Sequence, residues 1–316
     1  MPRHVMPLFS MTSVVCTLFE GDYHLGAAGL LNSLHASGFR GRFICGYRGA
    51  LPFWAEPFQP GPNNTKIRML DGIEIIFVPL STTIHFTNYK PTFLLEVWKI
   101  IAPEAPKIYY LDPDIVIKCP WDVMERWAEG GIGLCEDVNF YLPPRHPIRL
   151  AWHDWLRSQN IVPNIQQHER YYSGGFIGMP IAARSFLELW ERLIALAAHI
   201  TGSLKHGDPT SLFHSADQDA LNIALMCTDI SINAAGPEGM DFFPGGCLLS
   251  HAIGSRKPWR GRFLTQALLG YPPSMASKAF LNYATKPIPI FSSHSLMRLK
   301  ATLKLAAFIG RFYRRS

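Results

Sequence analysis

Beyond Lys257 the sequence contains no aspartate and no glutamate, although ten lysines and arginines follow: Arg260, Arg262, Lys278, Lys286, Arg298, Lys300, Lys304, Arg311, Arg314 and Arg315. The whole chain is +6, so residues 1–257 are net −4. A nucleic-acid binder would need its basic face on the folded body, and the charge is elsewhere, so no nucleic-acid partner is expected. Paired cysteines are also lacking. The six thiols (Cys16, Cys45, Cys119, Cys135, Cys227, Cys247) stand singly with no C-x-x-C. That spacing argues against a zinc ribbon or a disulfide scaffold and suits reduced thiols in the cytoplasm. No apolar run reaches the roughly 18–20 residues of a membrane-spanning helix. The stretch Met1 to Phe19 is apolar, but Pro2 and Pro7 interrupt it and Glu20-Gly21-Asp22 follows without a small-residue cleavage site. It reads as leading into a first strand rather than as a secretory signal. No internal repeat and no glycine-rich phosphate loop after that strand can be found.

What is present alternates between two periodicities. Ser13 to Phe19, Arg42 to Tyr47 and Ile73 to Val78 are β-branched and apolar, as strands are. Ala27, Leu30, Leu31 and Leu34 fall on one helical face, with Gly38 where a C-cap belongs. Phe93, Val97, Ile100 and Ile101 mark a second helix that ends before Pro103, and Phe186, Trp190, Leu193, Ile194 and Ala197 a third. Lys107 to Leu111 is apolar on both faces, as the buried central strand of a parallel sheet is. Strand and helix in this rhythm predict an α/β fold, a mostly parallel sheet covered on both sides.

The central strand runs into Asp112-Pro113-Asp114. Side chains two apart on an extended chain point the same way, and Pro113 holds Asp112 extended. Two carboxylates therefore project from the carboxyl end of a central strand, where open α/β sheets bind ligands. Hard oxygen ligands at that place suit Mg²⁺ or Mn²⁺. The plainer reading is an Asp-Pro-Asp turn leaving a strand.

The segment His251-Ala252-Ile253-Gly254-Ser255-Arg256-Lys257-Pro258-Trp259 decides between them. It resembles the H-x-x-G-x-x-K-P-W pattern of the retaining glycosyltransferases of family 8, the glycogenin and bacterial galactosyltransferase group. The aspartate pair upstream resembles that family's D-x-D. Three weaker likenesses keep the family's order: Gly21-Asp22-Tyr23 with Gly26, Tyr172-Ser173-Gly174-Gly175-Phe176, and Asp217-Gln218-Asp219-Ala220-Leu221-Asn222. Ser173 departs from the usual Asn, which leaves the transferred sugar open. The resemblance covers residues 13 to 259. It implies a GT-A domain over residues 1–260 that binds a UDP-sugar and Mn²⁺ (or Mg²⁺) and passes a hexose to a carbohydrate or lipid-linked acceptor.

Roles follow from the resemblance. Asp112, Asp114 and His251 would hold the metal, which neutralises charge on a departing diphosphate. Asp112, Lys257 and the backbone at Gly254 would meet the nucleotide, as would Asp22 and Tyr23. Ser173, Gly174, Asp217 and Gln218 would face the sugar, with Asp217 and Gln218 nearest the reacting carbon. Lys90 is a weaker candidate for the nucleotide. An amide is a poor nucleophile, which favours front-face substitution over a covalent intermediate at Gln218. Bland readings stand beside these. Asp22 could simply open a helix, Lys257 to Trp259 could be a turn, and Ser215 with Gln218 forms a capping-box pattern. Rival functions of similar outline are a sugar-1-phosphate nucleotidyltransferase and a nucleotide-sugar binder without turnover. The first would want the glycine-rich loop that Glu20-Gly21-Asp22-Tyr23 does not supply.

Residues 261–316 form a basic C-terminal extension. Leu296, Leu299, Leu303, Ala306 and Ala307 share a helical side near Lys300, Lys304 and Arg311, with Phe308, Ile309, Phe312 and Tyr313 beyond. Such a segment suits either an anionic membrane surface, as a peripheral protein on the inner face, or docking on the body. Residues 137–170 read as a variable loop for the acceptor.

Overall fold

The computed structural model describes residues 13–139, 141–163, 170–201 and 212–312. Its centre is a nine-stranded sheet. The strands are β1 (Val14–Glu20), β2 (Arg42–Arg48), β3 (Gln59–Pro60), β4 (Lys66–Leu70), β5 (Ile73–Pro79) and β6 (Lys107–Leu111). A short β7 (Ile115–Ile117) lies outside the sheet, and β8 (Ile132–Glu136), β9 (Tyr172–Pro180) and β10 (Ile232–Ala235) complete it. The order is β10-β8-β9-β6-β1-β2-β5-β4-β3. Pairing of β6, β1, β2 and β5 is parallel, and only β9 and β4 oppose the common direction. The mostly parallel α/β sheet read from the strand pattern is therefore present. One detail differs: β6 has parallel β1 on one side and antiparallel β9 on the other. Burial on both faces does not distinguish the two pairings.

Alternation along β1 divides the core. Val14, Cys16 and Leu18 join an apolar cluster on one face, and Val15 and Phe19 join another on the opposite face. The first cluster is closed by α2 (Phe86–Glu96), α4 (Pro147–Ser158), α5 (Arg184–Thr201) and α6 (Ala216–Leu225). The second is closed by α1 (His24–Ala36), α3 (Trp121–Trp127), α7 (Phe263–Leu268), α8 (Met275–Asn282) and α9 (Ser293–Ile309). Helix α1 stops as its sequence requires: Ser37 caps it and Gly38 follows at φ +91°. Helix α2 runs on through a π-turn, Val97–Ile101, and halts before Pro103.

Two expectations are corrected. The segment 137–170 is not all loop, because α4 occupies its middle. That helix hides from a periodicity search because its buried stripe is Arg149, Trp152, Trp155 and Leu156, with a guanidinium at an apolar position. Arg149 reaches the carbonyls of Leu142 (2.6 Å) and Arg170 (2.5 Å) instead of a carboxylate. The capping box at Ser215 does not form either. Ser215 makes no side-chain cap bond, and its N–H donates to Asp219 Oδ2 at 2.7 Å.

The chain after Gly261 packs on the body. Buried Asn32 of α1 donates to the carbonyls of Tyr283 (2.6 Å) and Ile288 (2.8 Å) and accepts from the Ile288 N–H (2.8 Å). Leu296, Leu303 and Ala306 of α9 belong to the same cluster as α1. Tyr313, Arg314 and Arg315 lie outside the described residues. Among the described residues no helix is long and apolar enough to cross a membrane.

Candidate active site

Strand β6 ends at Leu111 and leads directly into Asp112, whose N–H donates to the Gly175 carbonyl of β9 at 2.8 Å. The turn closes when the Ile115 N–H reaches the Asp112 carbonyl at 3.0 Å, which starts β7. Strand β11 (Leu249–His251) pairs antiparallel with β7, placing His251 opposite Ile115. Local backbone rules thus bring Asp112, Asp114 and His251 together across 137 or more residues of chain. His251 Nε2 lies 3.2 Å from Asp114 Oδ1 and 3.8 Å from Asp112 Oδ2. One ligand atom from each of the three fits within 4.8 Å of the others. Among the described residues this is the one cluster of its kind.

The donor set fits a divalent cation. Two carboxylates and one imidazole are hard to borderline ligands, suited to Mg²⁺ or Mn²⁺. Among the described residues, buried His251 Nδ1 has no hydrogen-bond partner, and a buried unpartnered ring nitrogen is costly unless something meets it. Gly175 makes the cradle possible. A Cβ there would stand 2.6 Å from His251 Cε1 and 3.2 Å from Asp112 Oδ2.

Two buried lysines balance the acids. Lys257 Nζ is hydrogen-bonded to Asp114 Oδ2 and donates to the Ala252 carbonyl at 2.8 Å. Lys90, on α2, donates to the Gly174 carbonyl (2.9 Å) and to Asp217 Oδ2 (3.1 Å), and its Nζ is 3.3 Å from Asp112 Oδ1. Burial would depress the Lys90 ammonium, but Asp112 and Asp217 outweigh it and hold the group above its ordinary value. Burial also raises Asp112, against the pull of Lys90 and with repulsion from Asp114. Asp114 is likewise pushed up by burial, yet His251 and Lys257 prevail and it sits below the usual carboxylate range. The Tyr110 hydroxyl donates to Asp112 Oδ1 at 2.9 Å and its ring lies under Lys90 at 5.1 Å.

A cavity of about 460 Å³ opens over these groups. Asp112, Asp114, His251, Lys257, Gly254, Tyr23 and Lys90 all line it. Gly254 adopts φ +77°, a conformation that leaves its backbone bare at the cavity wall. The sugar-side candidates sit one layer deeper, behind Lys90. Asp217 is tied to Lys90, and the Gln218 amide oxygen accepts from the Gly174 N–H at 2.9 Å. Ser173 is buried, and its hydroxyl accepts from the Gly175 N–H at 3.3 Å. Asp22 is not brought into the cavity. It forms a two-point pair with Arg260, at 2.8 and 3.0 Å, on the outer rim. Trp259 packs edge-on to Tyr23 at 5.4 Å and beside Phe280 at 5.6 Å.

Some lining residues escaped the sequence reading. Glu20, at the end of β1, faces the cavity, as do His85 and Thr87 where α2 begins. His85 had a legible signal. It stands just before the helix, and its Nδ1 accepts from the Thr87 N–H at 3.4 Å, in the manner of an N-cap.

No family model matches this chain, and no curated protein matches it. Among solved structures, the apo form of the WbbM bifunctional glycosyltransferase superposes on 95% of this chain with a TM-score of 0.53 and 13% sequence identity. This chain spans about half of that one, 53% of its length. At that identity the likeness establishes a shared fold, a mixed α/β architecture that a glycosyltransferase also uses.

Proposed function

We propose that this chain is a retaining, metal-dependent glycosyltransferase of the family 8 type, which moves a hexose from a UDP-sugar to a glycan or lipid-linked acceptor. The observation that carries the reading is the meeting of Asp112, Asp114 and His251 with Lys257 at one cavity, at the carboxyl end of β6. The shared fold with a glycosyltransferase and the H-x-x-G-x-x-K-P-W segment support it.

Asp112, Asp114 and His251 would hold Mn²⁺ or Mg²⁺, which supplies Lewis-acid stabilisation of the departing diphosphate. Lys257 and the Gly254 backbone would receive phosphate oxygens, the lysine as a point charge. In this state its ammonium is occupied by Asp114, so a diphosphate would compete for it. Tyr23 offers a ring wall for the base. Lys90 orients Asp217 and the Gly174 carbonyl toward the sugar side.

Retention is taken from the family resemblance, and these contacts bear on how it would be achieved. The Asp217 carboxylate is neutralised by Lys90, and the Gln218 oxygen is committed to the Gly174 N–H. An amide is a poor nucleophile and Lys90 holds one Asp217 oxygen, so front-face departure and return of the sugar, with these groups orienting, fits better than a covalent glycosyl-enzyme. Trapping a glycosyl adduct on Asp217 would overturn that mechanism.

The test is incubation with UDP-glucose, UDP-galactose and their N-acetyl forms, with Mn²⁺ and then with a chelator. Release of UDP that needs the metal and falls at least about 100-fold in Asp114→Asn is expected, a loss of the size seen when a transition-state electrostatic contact is removed. Conversion of the UDP-sugar to UTP and sugar 1-phosphate when pyrophosphate is added would mean a nucleotidyltransferase, and tight binding without release a binding protein.

A further inference from the structure

Helix α9 is apolar on two opposed sides. Leu296, Leu303 and Ala306, with partly buried Leu299, face α1 and the core. Met297, Ala301, Leu305 and Phe308 recur at i, i+4, i+8 and i+11 and form a second stripe on the opposite side. That stripe is in solvent: Met297 is 65%, Leu305 50% and Phe308 53% exposed. A helix docked on a soluble body ordinarily shows water a polar face. Here the outer apolar stripe is bordered by Lys300 and Lys304 on one side and Arg298 on the other, all exposed.

The ground beside the stripe has the same character. A cavity of about 930 Å³ between α8 and α9 is lined by Lys278, Lys300, Lys304 and Arg311 around Pro272 and Phe308. Phe312 is 75% exposed at its end. No carboxylate side chain occurs anywhere between Lys257 and the end of the chain.

We infer that this face of α8 and α9 is a docking surface for an anionic lipid bilayer. The lysines and arginines meet the phosphate-bearing headgroups, and Met297, Leu305 and Phe308 enter the boundary with the acyl chains. A nucleic-acid strand or an acidic protein would satisfy the charges but would gain little from a central aliphatic stripe, whose burial is favourable only in an apolar medium. Leu299, on the body-facing side of α9, packs against Gly261, close in sequence to Lys257 of the active-site cavity. None of the stripe residues lines that cavity, and the inference stands apart from the donor reading.

The experiment floats the full-length chain with vesicles of phosphatidylcholine alone and of phosphatidylcholine mixed with phosphatidylglycerol. Binding to the mixed vesicles only is expected, weakening as salt is raised. The triple variant Arg298→Gln, Lys300→Gln, Lys304→Gln should bind about fivefold less tightly for each charge removed. The double variant Leu305→Ser, Phe308→Ser keeps every charge and should lose binding, with circular dichroism confirming an intact fold. Equal binding to both vesicle types, no binding to either, or a double variant that binds as well as the parent would overturn the inference. Displacement by duplex DNA with the double variant unaffected would assign the surface to nucleic acid instead.

Discussion

Gly175 is the residue whose replacement reports most directly on the site. Its hydrogen leaves room for the His251 ring; a methyl would stand 2.6 Å from Cε1 and 3.0 Å from Nδ1. Gly175→Ala should therefore fold but displace the imidazole, lowering affinity for Mn²⁺ by about 10–100-fold, the range for loss of ligand orientation. Unchanged Mn²⁺ affinity by calorimetry would mean that His251 is no ligand. Asp22 makes a separate prediction. The Arg260 hydrogen bonds hold its carboxyl below the ordinary value. A lowered folded value means that stability from this pair is present above the unfolded carboxylate range, about 3.9, and is lost as pH falls through the lowered value. The stability gap between parent and Asp22→Asn should be small, because both partners are exposed, and should close toward acid pH. Urea midpoints across pH would show it, and a gap independent of pH would contradict it.

At the scale of elements, much was legible and the failures share a cause. The Asp112–Asp114 pair follows from the period of a strand, and the stripes of α1, α5 and α9 follow from the period of a helix. Those signals are local. Arg149 broke the stripe of α4 because its guanidinium is satisfied by two carbonyls supplied by the segments on either side of that helix. Gln218 left its capping role because Gly174, 44 positions earlier, offers a buried N–H. Lys90 read as a weaker candidate for the nucleotide, and its pairing with Asp112 and Asp217 from two other elements was not legible. Pairings of this kind are made by the tertiary fold and leave no trace in sequence spacing. Asn32 belongs with them. Its amide makes three bonds, two of them buried, that fasten α1 to residues 283–288. Asn32→Ala should destabilise the protein by about 1–3 kcal/mol for each backbone group left unpaired. A denaturation midpoint equal to the parent's would show that water replaces the amide.

For the whole molecule, the placement of α7, α8 and α9 decides how the chain can be cut. Phe263, Phe280, Leu296 and Leu303 complete the core on the α1 face of the sheet. A boundary drawn near residue 260 separates the motif-bearing part from the basic part, but it runs through that core. Deletion of residues 261–316 should abolish cooperative unfolding and leave an aggregating chain, since stacked apolar faces would lie open. A truncated protein with the parent's single sharp transition would show that the extension is dispensable for folding. The proposed activity needs a cation, which Asp112, Asp114 and His251 would hold and which would stabilise charge on the donor's diphosphate. Calorimetric titration of UDP into the protein, with and without Mn²⁺, in the parent and in Asp114→Asn, addresses that directly. Tight UDP binding that requires Mn²⁺ and disappears in the variant is the expected result, and equal UDP affinity with and without the metal would contradict it.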